Sequence, residues 1–444
     1  MLITNATIVT LDRSNRVIAD GAVFIEDGII REIGKTAALR KKHRREKKVE
    51  DAGGMVLMPG LINAHMHLYS TLARGMALPG EPPIDFEQIL QHLWWRLDKA
   101  LRPEDLRVSA LVPLITGIRA GTTTVIDHHA SPNAVDGSLD ILADAVRDTG
   151  VRAALCYEVS DRDGPEIARL GIAENVRFLT RVNQERSPML RGHFGLHAQF
   201  TIEDATLRES CEAARDQGVG VHIHCAEGFA DLADAMQRHG CTPVERLAQH
   251  GALGPGTILA HCVHINEDDR LLIRDSDTFV THQPRSNMNN AVGAMDLEQM
   301  RLAEVSLALG TDGMSNSMWD EVRACHLIHN HNTADPRIGM ANAFEMLFLG
   351  NRALAERTFG VRIGQIARGC VADLILVDYH PPTPLTRDTV MGHVFFGMGE
   401  ARVDSTMVDG RWLMRRGRLR LRGIDEAEIA AEAQARARRL WRRV

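Results

Sequence analysis

Short apolar runs alternate with longer amphipathic stretches from about residue 57 to about residue 360. This alternation of strand-like and helix-like patterns is typical of βαβ units that build a parallel sheet. Eight of the apolar runs are predicted as strands, and they lie at residues 56–67, 122–129, 151–160, 193–198, 219–227, 257–264, 278–284 and 305–313. The pattern therefore predicts an α/β fold, and eight strands separated by helices indicate a (β/α)8 barrel of the TIM type.

The two ends of the chain differ from this central pattern. Residues 1–56 and 361–420 both contain short segments in which apolar and polar residues alternate between turn signals, as they do in β-strands. We expect both parts to join in one small β-sandwich beside a barrel formed by residues 57–360. Residues 421–444 have acidic residues first and arginines last, which suits the dipole of a helix, so they are predicted as a C-terminal surface helix.

Composition narrows the kind of partner that the protein binds. Hydrophobic residues make up 44% of the chain and charged residues 25%, which is typical of a globular protein. The formal net charge is -6 and no basic run is interleaved with aromatic residues, so neither nucleic acid nor a membrane surface is indicated as a partner. The expected partner is a small-molecule substrate, and a homo-oligomer is left open.

The sequence also predicts a cytoplasmic location. The first residues lack the basic and apolar regions of a signal peptide, and no stretch approaches the roughly 18 uninterrupted apolar residues of a membrane span. The cysteines include no Cys-x-x-Cys pair and lie in apolar runs, which favours reduced core thiols over a disulfide framework.

Histidines and an aspartate recur at the ends of the predicted barrel strands. His65 and His67 are two residues apart on the first strand, so their side chains point to the same face. His224 ends the fifth strand and Asp312 follows the eighth, and the loops at this end of a TIM-type barrel carry the active site. Three imidazoles and one carboxylate suit one divalent ion that keeps a position open for water, with zinc as the first candidate and iron as the alternative.

Asp312, Glu227 and His261 are predicted to act on a water molecule that the ion binds. A bound ion lowers the pKa of a water towards neutrality and so produces a hydroxide nucleophile. Asp312, beside the ion, can accept the proton of that water, and Glu227, three residues after His224, can carry a proton to a ring nitrogen. His261 on the sixth strand can polarise the hydroxide or the developing oxyanion.

Four motifs around these residues resemble the amidohydrolase superfamily. The similarity is to its aminohydrolase branch, which includes guanine, 8-oxoguanine, cytosine and S-adenosylhomocysteine deaminases and triazine hydrolases. Segments 127–132, 157–164 and 281–293 make the chain most similar to the SsnA-type aminohydrolases. The motifs are PGLINAHMHLYSTLARG (59–75), HCAE (224–227), AHCVH (260–264) and GTDGMSNS (310–317). The tail segment IGQIARGCVADLILVD (363–378) also resembles the way that family returns into its β-sandwich.

The resemblance implies the same ligands and roles at these positions. It carries the metal onto the two histidines of the first motif, His224 and Asp312, and gives Glu227 the acid role and His261 the role of orienting hydroxide. Binuclear members of the superfamily have a carboxylated lysine at the end of the fourth strand, where this sequence reads GHFGLHAQF without a lysine. A single metal ion is therefore expected.

Four further residues are candidates for substrate binding. His197 occupies a region where related deaminases contact substrate, although core packing is the rival interpretation. Tyr69 follows the first-strand histidines closely. Arg285, in the loop after the seventh strand, could bind a carbonyl or carboxylate through its planar fork or else remain solvated. Arg162, after the third strand, could reach the mouth of the barrel or else form a salt bridge within its loop.

The predicted reaction is hydrolytic deamination of a nitrogen heterocycle, purine-like or related. Hydrolytic ring opening of a cyclic amide or imide, or hydrolysis of a carbon–chlorine bond, would use the same ion and hydroxide, so these reactions are kept as alternatives. A noncatalytic relative that retains the barrel for interaction is a further alternative, but such a protein has no need to keep the full set of ligands.

Overall fold

The computed structural model describes residues 1–78 and 80–444. Strands and helices are numbered separately in chain order. The strands are β1 (Leu2–Val9), β2 (Val17–Glu26), β3 (Ile29–Lys35), β4 (Val49–Asp51), β5 (Val56–Pro59), β6 (Leu61–Met66), β7 (Thr122–Asp127), β8 (Arg152–Leu155), β9 (Leu190–Gly192), β10 (Phe194–Ala198), β11 (Val221–Cys225), β12 (Ile258–His261), β13 (Phe279–His282), β14 (Ser306–Leu309), β15 (Leu374–Asp378), β16 (Arg402–Val408), β17 (Arg411–Arg415) and β18 (Arg418–Leu419).

Helices separate the central strands, as the alternating pattern predicts. A 3-10 turn at Leu68–Ala73 and a π turn at Leu90–Trp94 lie between β6 and the helix at Pro103–Ala120. The α-helices are α1 (Thr36–Lys42), α2 (Phe86–Ile89), α3 (Trp95–Ala100), α4 (Pro103–Ala120), α5 (Ser138–Thr149), α6 (Pro165–Glu185), α7 (Asp204–Asp216), α8 (Phe229–His239), α9 (Pro243–Gln249), α10 (Glu267–Asp275), α11 (Pro284–Asn289), α12 (Leu297–Leu302), α13 (Met318–Thr333), α14 (Gly339–Glu345), α15 (Asn351–Phe359), α16 (Val390–Phe396) and α17 (Glu426–Leu440).

Eight parallel strands form the barrel, in two hydrogen-bonded runs, β6-β7-β8-β9 and β10-β11-β12-β13-β14. The fourth strand consists of β9 and β10, which lie on either side of His193. The barrel closes between its first and last strands, where the N–H groups of Thr311 and Asp312 donate to the carbonyl of His65 at 2.9 and 3.0 Å. The α/β barrel expected from the sequence is confirmed.

The first barrel strand begins after Gly60 rather than at residue 56. β5 pairs with β1 and β15 outside the barrel, whereas β6 pairs with β7. Gly60 lies between the two strands, and a Cβ atom there would approach Cγ2 of Thr123 to 2.2 Å, so glycine is needed for this close contact. The apolar run predicted as one strand is therefore two strands in different sheets, and the predicted domain limits remain a prediction.

The remaining strands form one sheet from both ends of the chain. Its order is β18-β17-β16-β15-β5-β1-β2-β3, with β4 beside β1. The sheet has its own buried core, which includes Ile3, Ile8, Val23, Leu57, Leu374 and Met407. The module shared by the two chain ends is thus confirmed, with its strands joined in one continuous hydrogen-bonded sheet.

Helix α17 packs against α4 on the outside of the barrel. The carboxylate of Asp425 caps its first turn by accepting from the N–H groups of Ala427 and Glu428. After the helix, Nε1 of Trp441 donates to the carbonyl of Leu72 at 2.7 Å, beside the segment that follows the first-strand histidines. Of the helices in the described part of the chain, none combines the length and the apolar character that crossing a membrane requires.

Candidate active site

The predicted metal ligands meet at the C-terminal ends of the barrel strands, where barrel enzymes place their chemistry. His65 lies within β6 and His224 within β11, while Asp312 follows β14. The backbones of His261 and Asp312 have φ values of 78° and 56°, a left-handed conformation that non-glycine residues seldom adopt. Strain of this kind at strand ends is characteristic of functional sites, because the surrounding fold must hold it in place.

One atom from each predicted ligand converges on a single point. The donor atoms of His65, His67, His224 and Asp312 all lie within 4.8 Å of one another. Nε2 of His67 is 3.2 Å from Nε2 of His224 and 3.0 Å from Oδ1 of Asp312. Nε2 of His65 is fully buried, 3.8 Å from the same oxygen, and has no hydrogen-bond partner. A buried orphan nitrogen beside two imidazoles and a carboxylate fits a divalent ion.

Two of the imidazoles are held by backbone carbonyls. Nδ1 of His67 donates to the carbonyl of His128 at 2.6 Å, and Nδ1 of His224 donates to that of His197 at 2.8 Å. Carbonyl oxygens only accept, so each ring carries its hydrogen on Nδ1 and keeps the lone pair of Nε2 free. Burial lowers the pKa of His224 to about 4, which keeps the ring in the neutral form that binds metal.

The carboxylate of Asp312 is ionised and fixed in orientation. Burial opposes its charge, but the side chains of His65, His67 and His261 that face the carboxylate hold the pKa of Asp312 well below its usual range. The hydroxyl of Ser286 donates to Oδ2 at 2.6 Å, and the N–H of Gly313 donates to Oδ1 at 2.7 Å. This negative charge balances part of the charge that a divalent ion would bring.

Glu227 and His261 lie together beside this set. Nε2 of His261 is 3.3 Å from Oε2 of Glu227 and 3.6 Å from Oδ2 of Asp312. The amide nitrogen of Asn287 donates to Nδ1 of His261 at 2.9 Å, so the neutral ring carries its hydrogen on Nε2. Burial, aided by the charge of Asp312, raises the pKa of Glu227 well above its usual value, so this carboxylate accepts a proton more readily than an exposed glutamate does.

A cavity of about 890 Å³, its open mouth included, leads to these residues. Its apolar walls come mainly from the segment between β6 and α4 and from two other loops. The large apolar lining residues are Phe86, Leu90, Trp94, Trp95, Phe200 and Met314. Aromatic faces of this kind suit a flat heterocycle.

Two of the four predicted substrate-binding residues line the cavity. They are Tyr69 and His197, whose Nδ1 is 2.8 Å from the hydroxyl of Thr201. Arg162 lies behind the wall, hydrogen-bonded to the carboxylate of Asp98 and 5.6 Å from the ring of Trp95. Both Asp98 and Trp95 line the cavity, whereas Arg162 contacts these two residues from behind and does not itself line the cavity.

Arg285 is not brought to the cavity. Its backbone N–H and its Nε donate to the buried carboxylate of Glu321, at 3.0 and 2.5 Å. Its two terminal nitrogens donate to the hydroxyl and carbonyl of Ser315, at 3.0 and 3.1 Å. The guanidinium group therefore joins α11 to α13 and the loop before it, and has no free fork for a ligand.

A sequence model that represents the amidohydrolase family matches residues 56–413, which is most of the chain. This chain belongs to the amidohydrolase family. The family expected from the four motifs is therefore confirmed.

Relatives of this amidohydrolase match over the whole chain. The 5'-deoxyadenosine deaminase of Methanosarcina mazei is 32% identical and covers 100% of this chain and 99% of its own length. The 5-methylthioadenosine/S-adenosylhomocysteine deaminase of Pelotomaculum thermopropionicum is 30% identical, with coverage of 100% and 99%. Among solved structures, an adenosine deaminase from Xanthomonas campestris with bound zinc has a TM-score of 0.85 at 25% identity and covers 100% of this chain and 98% of its own.

Several residues of the amidohydrolase site were not predicted from the sequence. Glu158 lines the cavity, with Oε1 3.2 Å from Nδ1 of His67, and the carboxylate of Asp98 lies on the same wall. His222 is bonded to His65, at 2.8 Å between ring nitrogens. The position of Glu158 just after the third strand was a usable signal, since the ends of barrel strands point to the site. Asp98 sits on a helix between two strands, where no motif marks it.

Proposed function

We propose that this amidohydrolase removes an amino group by hydrolysis from a purine-like heterocycle, with one divalent ion as cofactor. The observation that carries the proposal is the meeting of the four-residue donor set with the Glu227–His261 pair at the end of one cavity. The names of the relatives, which are deaminases of adenosine analogues, support an aminopurine as the substrate.

The ion is proposed to be zinc, held by His65, His67, His224 and Asp312. Three imidazoles and one carboxylate are ligands that zinc accepts readily, and they are too rich in nitrogen for magnesium or calcium. The zinc bound in the Xanthomonas campestris adenosine deaminase supports this choice over iron. When bound, the ion would supply Lewis-acid polarisation of a water molecule.

Glu227 is proposed to carry one proton of that water. The reaction forms a bond between the water oxygen and a ring carbon and breaks the bond from that carbon to the amino nitrogen. Glu227 takes a proton from the water and delivers it to the neighbouring ring nitrogen, which receives the electron pair displaced by the attack. The second proton goes by way of Asp312 to the amino group, which leaves as ammonia.

His261 and Asp312 are proposed to orient the attacking oxygen. The N–H of His261 at Nε2 faces Glu227 and Asp312, so it can donate to the oxygen that lies between them. Ser286, by donating to Oδ2 of Asp312 at 2.6 Å, holds the carboxylate in place while the proton moves. In this scheme the side chains of His261 and Asp312 act through fixed hydrogen bonds and do not change their conformation.

The heterocycle is proposed to bind between the aromatic walls of the cavity. Trp94, Trp95 and Phe86 offer faces on which a flat ring can stack. Tyr69 and His197 are proposed as polar contacts at its edge, with Arg162 acting through Asp98 rather than directly. We further propose a cytoplasmic location, which the seven free and buried cysteine thiols favour.

Release of ammonia from a substrate panel tests the proposal. The panel contains 5'-deoxyadenosine, 5'-methylthioadenosine, adenosine, guanine and a cyclic imide, each incubated with zinc-loaded protein. We expect ammonia in equal amounts with a new ring carbonyl for at least one aminopurine. Formation of a new carboxylate without ammonia, seen by mass spectrometry, would instead mean ring opening and would overturn the proposed deamination.

A further inference from the structure

His65 differs from the other two histidine ligands in what holds its ring. The rings of His67 and His224 are bonded to backbone carbonyls, whereas Nδ1 of His65 lies 2.8 Å from Nε2 of another imidazole, that of His222. A carbonyl oxygen can only accept a hydrogen bond, so it determines by itself which ring nitrogen of the histidine carries the hydrogen. An imidazole nitrogen can donate or accept, so the hydrogen position on His65 depends on the state of His222.

The state of His222 is set by the next group in the chain of hydrogen bonds. Nδ1 of His222 lies 3.8 Å from Sγ of Cys156, and that sulfur lies 3.4 Å from the backbone carbonyl of Asp127. The carbonyl has no hydrogen to give, so the thiol donates to it. The sulfur is then left as an acceptor for an N–H at Nδ1 of His222.

The remaining hydrogens follow from this direction. A neutral imidazole has a single N–H, so His222 with its hydrogen on Nδ1 has a lone pair on Nε2. That lone pair accepts from Nδ1–H of His65, and the lone pair of His65 is left on Nε2. This is the nitrogen that is buried, without a partner, and aimed at the other proposed ligands.

Cys156, His222 and His65 form a relay of hydrogen bonds, and burial makes each group depend on its neighbour for a hydrogen-bond partner. The side chains of His65, His222 and Cys156 are all fully buried, at 0% exposure. Bulk water therefore cannot replace a missing partner, and charging a ring there would carry a large desolvation cost. Each donor in the relay also faces an acceptor, and the opposite direction would remove the hydrogen bond from the Cys156 thiol to the Asp127 carbonyl.

We propose that His222 and Cys156 are positioning residues that keep the hydrogen of His65 on Nδ1 and so leave Nε2 available to the metal ion. The proposal rests on the metal site proposed above. Neither residue contacts the ion or the substrate; both act through His65. Outer hydrogen-bond partners of this type commonly alter metal affinity by about 10- to 100-fold when they are removed.

Two variants of His222 test the relay by their zinc affinity, measured by competition with a chromophoric chelator. His222→Leu removes the acceptor for His65, and we expect zinc affinity to fall by about 10- to 100-fold. His222→Gln keeps an acceptor oxygen in the side chain, and we expect it to stay within about threefold of the wild type. Equal affinity of His222→Leu and wild-type protein would overturn the relay.

Two variants of Cys156 give a second test that leaves the imidazole of His222 in place. Cys156→Ser keeps a group that donates to the Asp127 carbonyl and accepts from His222, whereas Cys156→Ala removes it. We expect the alanine variant to bind zinc several-fold more weakly than the serine variant. Cys211→Ala, a buried cysteine on α7 outside the relay, is the matched control for loss of a core thiol.

The controls separate the relay from folding and from the metal site itself. Circular dichroism and thermal melting of the metal-free variants show whether each one folds. If His222→Leu does not fold, the Cys156 pair decides, and equal zinc affinities for serine and alanine there would overturn the proposal. A wild-type protein that binds no zinc would instead contradict the metal site.

Discussion

Nε2 of His261 lies 3.3 Å from Oε2 of Glu227, and both side chains are buried at the inner end of the cavity. Because Asn287 donates to the other ring nitrogen of His261, the hydrogen on Nε2 faces the carboxyl group. A fixed donor and a proton carrier thus share one position beside Asp312. In the proposed reaction, His261 orients oxygen and Glu227 transfers the proton.

Replacing Glu227 by glutamine should slow the reaction without emptying the metal site. The amide keeps the shape and the contact with Asn290 but cannot carry a proton, and loss of a general acid–base group typically costs about 10²- to 10⁴-fold in kcat. Zinc content should remain stoichiometric, since Glu227 is outside the four-residue donor set. Ammonia release and elemental analysis check the two expectations.

Glu87→Gln is the matched control for this change. Glu87 also lines the cavity, but it is exposed at the rim and accepts from Gln91. The activity of the Glu87→Gln variant should stay within about twofold of the wild type, as expected for the loss of a surface carboxylate. An equal loss of kcat in both variants would contradict a proton-transfer role for Glu227.

Removing the metal should abolish activity and lower the thermal stability together. The four donors converge from three strand ends, so an ion holds together parts of the barrel that are far apart in sequence. At free zinc about 100 times its dissociation constant, binding adds about 2.7 kcal/mol to the free energy of unfolding. Dialysis against a chelator followed by zinc addition should reverse both effects. Full activity after complete metal removal would contradict the proposed site.

The buried carboxyl group of Asp127 should make stability fall as pH rises. Burial raises the pKa of Asp127 to about 7 from its ordinary 3.8, although Oδ1 accepts from the N–H of Leu68, and Oδ2 is buried without a hydrogen-bond partner. The folded state therefore binds this proton more tightly than the unfolded state does. Its stabilising effect is complete below about pH 3.8 and is lost as pH rises through 7.

Asp127→Asn isolates this effect, because the amide is neutral at every pH and its oxygen still accepts from Leu68. The melting temperature of the variant minus that of the wild type should rise between pH 5 and pH 8. The underlying change is at most about 1.4 kcal/mol per pH unit up to the pKa of the folded state. A difference that stays constant over this range would show that Asp127 is ionised in the folded protein throughout.

The charges around the cavity should favour neutral substrates over anionic ones. Among the described residues that line the cavity there is no lysine or arginine, whereas Asp98 and Glu158 lie on its walls. A phosphate would be placed near these carboxylates without a basic partner, and a cost of only 1.4 kcal/mol is already tenfold. Adenosine should therefore exceed adenosine monophosphate by about tenfold or more in kcat/KM. Comparable values for the two compounds would contradict this view of the cavity.

The barrel and the convergence of the proposed metal donors could be predicted because their signals are local. Strand patterns recur along the chain, and the position of a residue at a strand end determines its place in the barrel, so His65, His224 and Asp312 were assigned without any knowledge of contacts. Gly60 shows the limit of this reasoning. The apolar pattern continues across it, and only the pairing partners reveal that one sheet ends there and another begins.

Arg285, His222 and Asp98 were beyond the reach of the sequence for a different reason. The partner of Arg285 is Glu321, on another helix, and a guanidinium group that is fully bonded looks the same in sequence as one that is free. The same is true of His222, because its proposed role depends on hydrogen bonds to His65 and Cys156. Hydrogen-bond direction and helix packing depend on three-dimensional neighbours, which a single sequence does not specify.

The sheet built from both chain ends has a consequence for synthesis of the protein. β5 takes its place beside β15, with Leu57 opposite Leu376, so the two strands are separated by the whole barrel. During synthesis, the edge of β5 that pairs with β15 stays unpaired until the residues of the barrel have been translated. An unpaired strand edge is a site for aggregation, so the nascent protein should depend on chaperones that shield its first strands.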